Sequence, residues 1–189
     1  MSDYFYYTTP DHPLAEPLVN QLTAEYDRRY GAYFGETADK EMNRYPAALF
    51  APPDGNFLLL LRDGFPIAGG AFKRFDGETA ELKRIWTDEN HRRQGLARRV
   101  VAELEQQAFR QGFSRLYLTT GFRQPEARDL YLNAGYTPLF DVDADPEIYG
   151  ALPFEKFLVN PPPGYVPTLV TPPEGGWKAA RERQLAEHR

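Results

Sequence analysis

The chain has 189 residues, of which 42% are hydrophobic and 14% aromatic, and such fractions are typical of a globular protein. Its formal net charge of −5 argues against nucleic acid as the main partner, because nucleic-acid-binding domains carry a basic excess. The chain contains no cysteine, which excludes disulfides and thiolate zinc sites. Its histidines, His12, His91 and His188, are scattered along the chain, so we predict no metal.

The N-terminal segment shows no pattern of export or membrane insertion. Residues 1–13 lack the basic region and the apolar run of a signal peptide, and no apolar stretch reaches the length of a membrane span. We therefore expect a cytoplasmic protein.

The first part of the chain predicts a strand and two helices. Tyr4–Thr9 predicts a strand, leucines at four-residue steps predict a helix over 13–30, and a shorter helix is expected over 37–45. Aromatic residues are concentrated near the loop between the helices, where they either pack in the core or line a substrate pocket. These residues are Tyr26, Tyr30, Tyr33 and Phe34.

Three predicted strands follow as a meander. Asn56–Arg62 is a continuous apolar run, which is typical of a strand buried on both faces. Phe65–Phe75 is its hairpin partner across an Asp-Gly turn, and Ala80–Thr87 follows a second Asp-Gly turn.

The stretch after the third of these strands predicts an anion-binding site. Residues 88–94 form a polar, basic loop, and apolar residues at steps of three and four predict a helix that begins near Gly95. Backbone N–H groups and the helix dipole attract anions there, and Arg92, Arg93 and Arg98 add positive charge. The glycine patterns of P-loops and dinucleotide-binding loops are absent from the sequence. An ordinary solvated loop is the alternative interpretation.

The remaining elements complete an α/β (mixed α+β) fold. Ser114–Thr120 predicts a strand, so the helix before it makes a right-handed parallel crossover. The next helix has Pro125 at its first position and ends at Gly135. Tyr136–Phe140 and Leu152–Leu158 predict a final hairpin. We expect a central mixed, mostly antiparallel twisted sheet of about six to seven strands with flanking helices.

The end of the chain differs in composition from the rest. We predict a main domain over 1–158 and a proline-rich extension over 159–189 that ends in a short charged helix. The extension either packs back on the domain, contacts a second subunit or is partly free. A homodimer is therefore one of the arrangements that the sequence leaves open.

Several of these segments resemble one known family. Residues 92–97, Arg-Arg-Gln-Gly-Leu-Ala, resemble the Q/R-x-x-G-x-G/A signature of the GNAT family of N-acetyltransferases, whose loop holds the pyrophosphate of acetyl-coenzyme A. Residues 80–87 resemble the family's fourth strand, and residues 119–131 resemble its fifth strand and the following helix. With the pair Gly135-Tyr136 and the last strand, the resemblance covers residues 4–158.

The resemblance implies the GNAT acyl-CoA acyltransferase fold, with acetyl-CoA as co-substrate. It further implies that the fourth strand contacts the pantetheine arm and that the loop binds the pyrophosphate. The implied cofactor-binding residues are Ile85, Thr87, Arg92, Arg93, Gln94, Gly95, Leu96, Ala97, Arg98 and Gln124. In many members a second glycine stands in place of Ala97 and an asparagine in place of Gln124.

Glu81 and Tyr131 are the predicted catalytic residues. An amine with a pKa of about 10 is mostly protonated at neutral pH, so its attack on a thioester needs a proton acceptor. The position of Glu81 relative to the loop resembles that of the family's general base, acting directly or through a water. Alternatively, Glu81 is a surface residue paired with Lys83 or Arg84. Tyr131 matches the family's general acid, or it completes the core stripe of its helix.

These observations predict an acetyl-CoA-dependent N-acetyltransferase that acts on the amine of a small-molecule or amino-acid-like acceptor by direct attack. The acidic overall charge and the aromatic N-terminal half favour a small or cationic acceptor. The alternative is a non-catalytic acyl-CoA-binding module with a protein partner, but the presence of both Glu81 and Tyr131 favours an enzyme. Neither nucleic acid nor a membrane is an expected partner.

Overall fold

The computed structural model describes residues 2–188. The strands in this range are β1 (Asp3–Tyr7), β2 (Asn56–Arg62), β3 (Phe65–Arg74), β4 (Thr79–Thr87), β5 (Arg115–Gly121), β6 (Thr137–Pro138) and β7 (Ala151–Phe157). The α-helices in this range are α1 (Glu16–Tyr30), α2 (Ala38–Asn43), α3 (Leu96–Arg110), α4 (Pro125–Asn133) and α5 (Gly176–Glu187). None of these helices combines the length and the apolar character that crossing a bilayer requires.

The strands form one mixed sheet in the order β1-β2-β3-β4-β5-β7-β6. The pairs β1–β2, β2–β3, β3–β4 and β6–β7 are antiparallel. The backbone N–H groups of Ser114 and Arg115 both donate to the carbonyl of Glu78, so β5 starts beside the start of β4, as in a parallel pair. The predicted fold class, a mostly antiparallel sheet with flanking helices, is confirmed.

The chain divides by packing into two compact units, Met1–Leu116 and Tyr117–Arg189. The first unit contains β1 to β4 with α1 to α3, and the second contains β6 and β7 with α4 and α5. The boundary falls within β5. The domain boundary after residue 158 rests on composition and resemblance, so it stays a prediction.

The first unit is built around β2, whose apolar run is covered on both sides. Phe57, Leu59 and Leu61 pack in one cluster with Leu18 of α1 and Trp86 of β4. Strand alternation sends the intervening leucines to the opposite face, against which α3 packs. The absence of polar residues from the middle of β2 is explained by this double coverage.

β4 contains a β-bulge that the sequence pattern does not predict. Two residues of β4, Arg84 and Ile85, stand opposite the single residue Gly70 of β3. Arg84 has a left-handed φ of 58°. A Cβ placed on Gly70 would lie 2.6 Å from Cδ1 of Ile85 and 3.0 Å from Cδ1 of Leu104, so Ile85 faces α3. Arg84 instead lies over Phe50, on the α1 side of the sheet.

The second unit has an aromatic core of its own. The ring centres of Phe140 and Phe154 are 5.3 Å apart, and those of Tyr131 and Phe154 are 5.7 Å apart. All three side chains are buried. Tyr131 lies on α4 and packs in this core, in agreement with its predicted place in the apolar stripe of that helix.

The strand predicted over Tyr136–Phe140 is longer than the one observed. Only Thr137–Pro138 pairs with β7 in the sheet. Pro138 and Pro153 each remove a backbone donor, one from each strand, and so the ladder is short.

The proline-rich extension belongs to the second unit and packs on the rest of it. The hydroxyl of Tyr165 donates to the buried carboxylate of Glu155 at 2.7 Å. The N–H of Val170 donates to a carbonyl just after β6 at 2.8 Å. The indole of Trp177 in α5 lies so close to Gly150 that a Cβ there would come within 2.7 Å of the ring. Packing back on the chain, one of the arrangements that the sequence leaves open, is therefore observed.

Gly55 provides a test of packing in the first unit. A Cβ at this position would lie 2.1 Å from the backbone oxygen of Leu49 and 2.7 Å from that of Phe72. Because backbone atoms cannot rotate away, we expect Gly55→Ala to lower the free energy of unfolding by about 3 kcal/mol, measured by urea denaturation. Gly77→Ala is the matched control, since a Cβ there meets no described atom within 4 Å. Equal stability of the two variants would contradict this packing.

Candidate active site

The chain passes from β4 through a loop into α3, the arrangement that the sequence predicts to bind an anion. β4 ends at Thr87, a short 3-10 turn follows Asp88, and α3 begins at Leu96. Gly95 precedes the helix with a φ of 71°, and no side chain caps the helix start. The first-turn backbone N–H groups therefore lie at an end of the helix that is suited to an anionic ligand.

The loop before α3 has room for a bulky anion. A Cβ placed on Gly95 meets no described atom within 4 Å. The neighbouring Arg93 has a φ of 63°, and Arg92, Arg93 and Arg98 are exposed. One Nη of Arg92 lies 3.9 Å from the carboxylate of Glu25 in α1. Open space at a glycine-led helix start, with arginines around it, fits a pyrophosphate group.

An ion-pair network braces this loop against β1 and β2. Arg62 donates to both carboxylate oxygens of Asp3, at 2.8 and 2.9 Å, and to Oε1 of Gln94 at 2.9 Å. Arg99 of α3 donates to Asp3 at 2.9 Å. The hydrogen bonds from Arg62 and Arg99 hold the pKa of the Asp3 carboxyl well below its usual range. The side chain of Gln94 is thus engaged in fixing the loop.

A second network fixes the end of β4 to α1. The side chain of Gln21 donates to Asp88 at 2.7 Å and accepts from the indole N–H of Trp86 at 2.9 Å. Nδ1 of His91 lies 2.6 Å from the same carboxylate. Burial raises the pKa of Asp88, but the hydrogen bonds from Gln21 and His91 outweigh burial and lower it overall.

Glu81 lies inside the first unit. It is only 7% exposed, so the surface position of the alternative interpretation is wrong. Its Oε1 is 3.3 Å from Nζ of Lys73 and 3.5 Å from Nζ of Lys83. Both ammonium groups lie over the ring of Tyr45, at 4.8 and 5.1 Å from its centre. The pairing with Lys83 is as the sequence suggests, whereas the pairing with Arg84 is not observed among the described residues.

The other predicted site residues of the first unit differ in which of their groups a ligand can reach. Ile85 turns its side chain toward α3, and Thr87 pairs with Ala68 of β3 at the end of β4. The side chain of Leu96 is buried, whereas Ala97 is half-buried. For Ile85 and Leu96, the backbone is therefore the part available to a ligand.

Two predicted site residues belong to the second unit. Tyr131 is 5% exposed, its ring centre lies 5.4 Å from that of Tyr136, and burial raises the pKa of its phenol. Gln124 precedes α4, and its Oε1 accepts from the N–H of Gly121 at 3.1 Å and from the hydroxyl of Thr120 at 3.4 Å. Gln124 therefore stabilises its own loop, and Tyr131 belongs to the core stripe of α4.

The aromatic residues in the last turn of α1 and in the turn after it pack against one another. The ring centres of Tyr30 and Phe34 are 5.1 Å apart, and those of Tyr26 and Tyr30 are 5.2 Å apart. Tyr30 is buried. These contacts support the core-packing interpretation of this aromatic group.

Sequence reasoning missed the residues that hold the site from other strands. The contact of Lys73 with Glu81 could have been predicted. Lys73 lies on the hairpin partner of β4, and the strand register places it directly opposite Glu81. The contact between Asp3 and Arg62 could not have been predicted. Their strands are distant in sequence, and a single pair of opposite charges does not predict contact.

Known proteins resemble this chain in sequence. A family model described as the acetyltransferase (GNAT) family matches residues 19–136. A protein of Azospirillum brasilense named IAA acetyltransferase is 30% identical over 154 residues, which cover 80% of this chain and 94% of that protein. An uncharacterized N-acetyltransferase of Bacillus subtilis, YsnE, is 34% identical over 90 residues, which cover 44% of this chain and 60% of that protein.

Solved structures share the fold. An acetyltransferase of the GNAT family from Staphylococcus aureus has a TM-score of 0.67 at 14% identity and covers 84% of this chain and 100% of that one. The PaiA N-acetyltransferase of Thermoplasma acidophilum, solved with coenzyme A, has a TM-score of 0.62 at 17% identity and covers 83% of this chain and 99% of that one. The family match spans more than half of the chain. The protein belongs to the GNAT family of acetyltransferases and is an acyltransferase.

Proposed function

We propose that the protein transfers the acetyl group of acetyl-CoA to the amine of a small-molecule or amino-acid-like acceptor by direct attack. One observation carries the proposal: β4 holds a buried carboxylate and then leads into an open, glycine-led helix start. A binding module would need the helix start but not the carboxylate. Membership of an acyltransferase family also disfavours the non-catalytic alternative.

The loop before α3 is proposed to hold the pyrophosphate of acetyl-CoA. Backbone N–H groups of residues 92–98 would donate to the phosphate oxygens, with Gly95 at the closest approach. The exposed side chains of Arg93 and Arg98 would add charge-assisted hydrogen bonds. The buried side chain of Leu96 anchors the helix start in the core. When bound, acetyl-CoA supplies the activated thioester.

β4 is proposed to present the backbone groups of Ile85 and Thr87 to the pantetheine arm. The bulge at Arg84 and Ile85 interrupts the regular pairing of β4 with β3, and an interrupted ladder leaves backbone groups unpaired. An N–H group placed there would stabilise negative charge on the thioester oxygen. Gln124 is proposed to contribute through the loop that its side chain stabilises.

Glu81 is proposed to accept the proton of the acceptor amine, directly or through a water. Such an amine has a pKa of about 10, so most of it is protonated at neutral pH and cannot attack. The ammonium groups of Lys73 and Lys83 both lie within 3.5 Å of Oε1 of Glu81, which fixes the position of the carboxylate on the strand. A fixed acceptor lowers the entropy cost of proton transfer.

Tyr131 is proposed to protonate the leaving thiolate. Burial raises the pKa of its phenol above the ordinary value, so the hydroxyl keeps its proton throughout the neutral range. A phenol that is protonated at neutral pH can donate its proton to the leaving thiolate.

Tyr131→Phe tests this assignment. We expect the variant to lose about 100-fold in kcat, because the proton donor is removed while the ring stays in the core. The measurement is coenzyme A release, followed with a thiol reagent, across polyamines, amino acids, aminoglycosides and lysine peptides. Tyr149→Phe is the matched control, since this buried hydroxyl accepts from the N–H of Asp141 at 3.2 Å.

The same assay can contradict the proposed function. No release with any acceptor, while calorimetry still shows coenzyme A binding, would favour a binding module. Release with lysine peptides alone would rule out the small-molecule acceptor.

Gly95→Asp tests the pyrophosphate site. The variant puts a carboxylate into the space in front of the helix start, so we expect coenzyme A affinity to fall at least about 100-fold by calorimetry. Gly164→Asp is the control, because Gly164 also has a positive φ, of 75°, and open space around its Cβ. Unchanged affinity in the Gly95 variant would show that the loop assignment is wrong.

Asp3→Asn tests the bracing of the loop. We expect a rise of about two- to fivefold in the KM for acetyl-CoA with little change in kcat, because asparagine keeps the shape of the side chain but removes the charge that pairs with Arg62 and Arg99. Folding lowers the pKa of Asp3, so its contribution is complete above the ordinary value of 3.8, and an assay near neutral pH measures all of it. Asp54→Asn, which removes an exposed pair with Arg74, is the control. Equal KM values in the two variants would contradict a bracing role.

A further inference from the structure

Arg84 is a half-buried cation on the α1 side of β4. Its guanidinium carbon lies 4.7 Å from the ring centre of Phe50, and its Nη2 donates to the backbone carbonyl of Met42 at 2.6 Å. Burial lowers the pKa of Arg84, and the charge of Asp11 only partly opposes this effect. An arginine side chain nevertheless keeps its charge in a protein. The first unit therefore holds a positive charge that is partly removed from water.

This cation has no ion-pair partner among residues 2–188. Its hydrogen bond to Met42 uses one N–H group, whereas a guanidinium has five. A partly buried charge without a counter-ion is costly, and a chain of this composition has many carboxylates that could have been placed beside it. The unused donors of Arg84 are therefore a place where an anionic ligand group would be stabilised.

The surroundings of Arg84 add to this positive charge. Lys73 and Lys83 share the single carboxylate of Glu81, and both lie over Tyr45. Tyr45 packs against the same cluster of buried residues as the one to which Phe50 belongs, so these groups occupy one face of the sheet. With Arg84 included, three cations and the carboxylate of Glu81 lie on this face, and Asp11 adds a negative charge that acts on Arg84 without forming an ion pair with it.

We infer that the acceptor carries a carboxylate in addition to its amine, and that Arg84 binds the carboxylate while Glu81 faces the amine. The inference rests on the proposed function and gives its substrate class, which is amino acids and related carboxylate-bearing amines. The planar guanidinium matches a carboxylate through two parallel hydrogen bonds. Lys73 and Lys83 repel additional cations, so polyamines and aminoglycosides are poor acceptors, contrary to the expectation from the overall charge.

A purely structural role for Arg84 makes a different prediction. Its bond to Met42 ties β4 to α2, and loss of that bond would lower stability or activity with every acceptor alike. Loss of a carboxylate anchor affects only acceptors that carry a carboxylate. The preference for an acid over its amide therefore distinguishes the two roles.

The test compares each amino acid of the acceptor panel with its carboxamide and its decarboxylated amine. In the wild type we expect kcat/KM to be about 100-fold higher for the acid, because an analogue without the carboxylate leaves Arg84 unpaired. In Arg84→Gln, which keeps a donor for Met42, the preference should fall below about tenfold. Arg74→Gln is the control, since Arg74 also lies over an aromatic ring, at 4.6 Å from the centre of Phe113, but pairs with Asp54.

A thermal-shift assay measures the binding of a carboxylate by Arg84 independently of catalysis. Free acids should raise the melting temperature of the wild type and of Arg74→Gln, but not that of Arg84→Gln. The inference is overturned if amides or decarboxylated amines match the acids in the wild type, or if Arg84→Gln keeps the preference. Failure of every amine to release coenzyme A would defeat the proposed function, but the melting temperatures would still decide the role of Arg84.

Discussion

One extra residue in β4 determines what the two faces of this strand present. Without the bulge opposite Gly70, simple alternation would carry through the strand, and the side chains at its end would change faces. With the bulge, Ile85 packs toward α3 while Arg84 lies over Phe50 on the other side. The strand therefore serves the core toward α3, and toward α1 it holds charged side chains beside the buried Trp86. Both the proposed cofactor contacts and the inferred carboxylate anchor depend on this irregularity.

The chain has a net charge of −5, yet positive charge is concentrated in the loop before α3 and around Arg84. The two groups of cations differ in their exposure to water. The arginines of the loop before α3 are exposed, so they attract a highly charged phosphate group at long range but contribute little each. Lys73 and Lys83 have side chains only 14% and 22% exposed, and Arg84 is half-buried. Charges in such surroundings interact more strongly and discriminate more sharply between ligands.

The fold was largely predictable because its signals are local. The apolar run of β2, the periodicity of α3 and the turn glycines all lie within short windows, and the elements occur where these windows predict them. The site was predictable only in part. The β-bulge leaves no local pattern, and the pairing of Asp3 with Arg62 depends on strands far apart in sequence. The burial of Glu81 could not be predicted from the sequence either. A charged side chain usually lies at the surface, but here the ion pair with Lys73 stabilises the carboxylate inside the protein.

The tie between the N-terminal residues and the loop before α3 has a practical consequence. The N–H of Ser2 donates to the carboxylate of Asp63, and Asp3 is held by Arg62 and Arg99. A purification tag joined at the N-terminus would therefore leave the fold directly beside the network that braces the proposed cofactor loop. A tag after α5 would follow a helix of the second unit instead. Kinetic constants should accordingly be compared between chains that carry the tag at opposite ends.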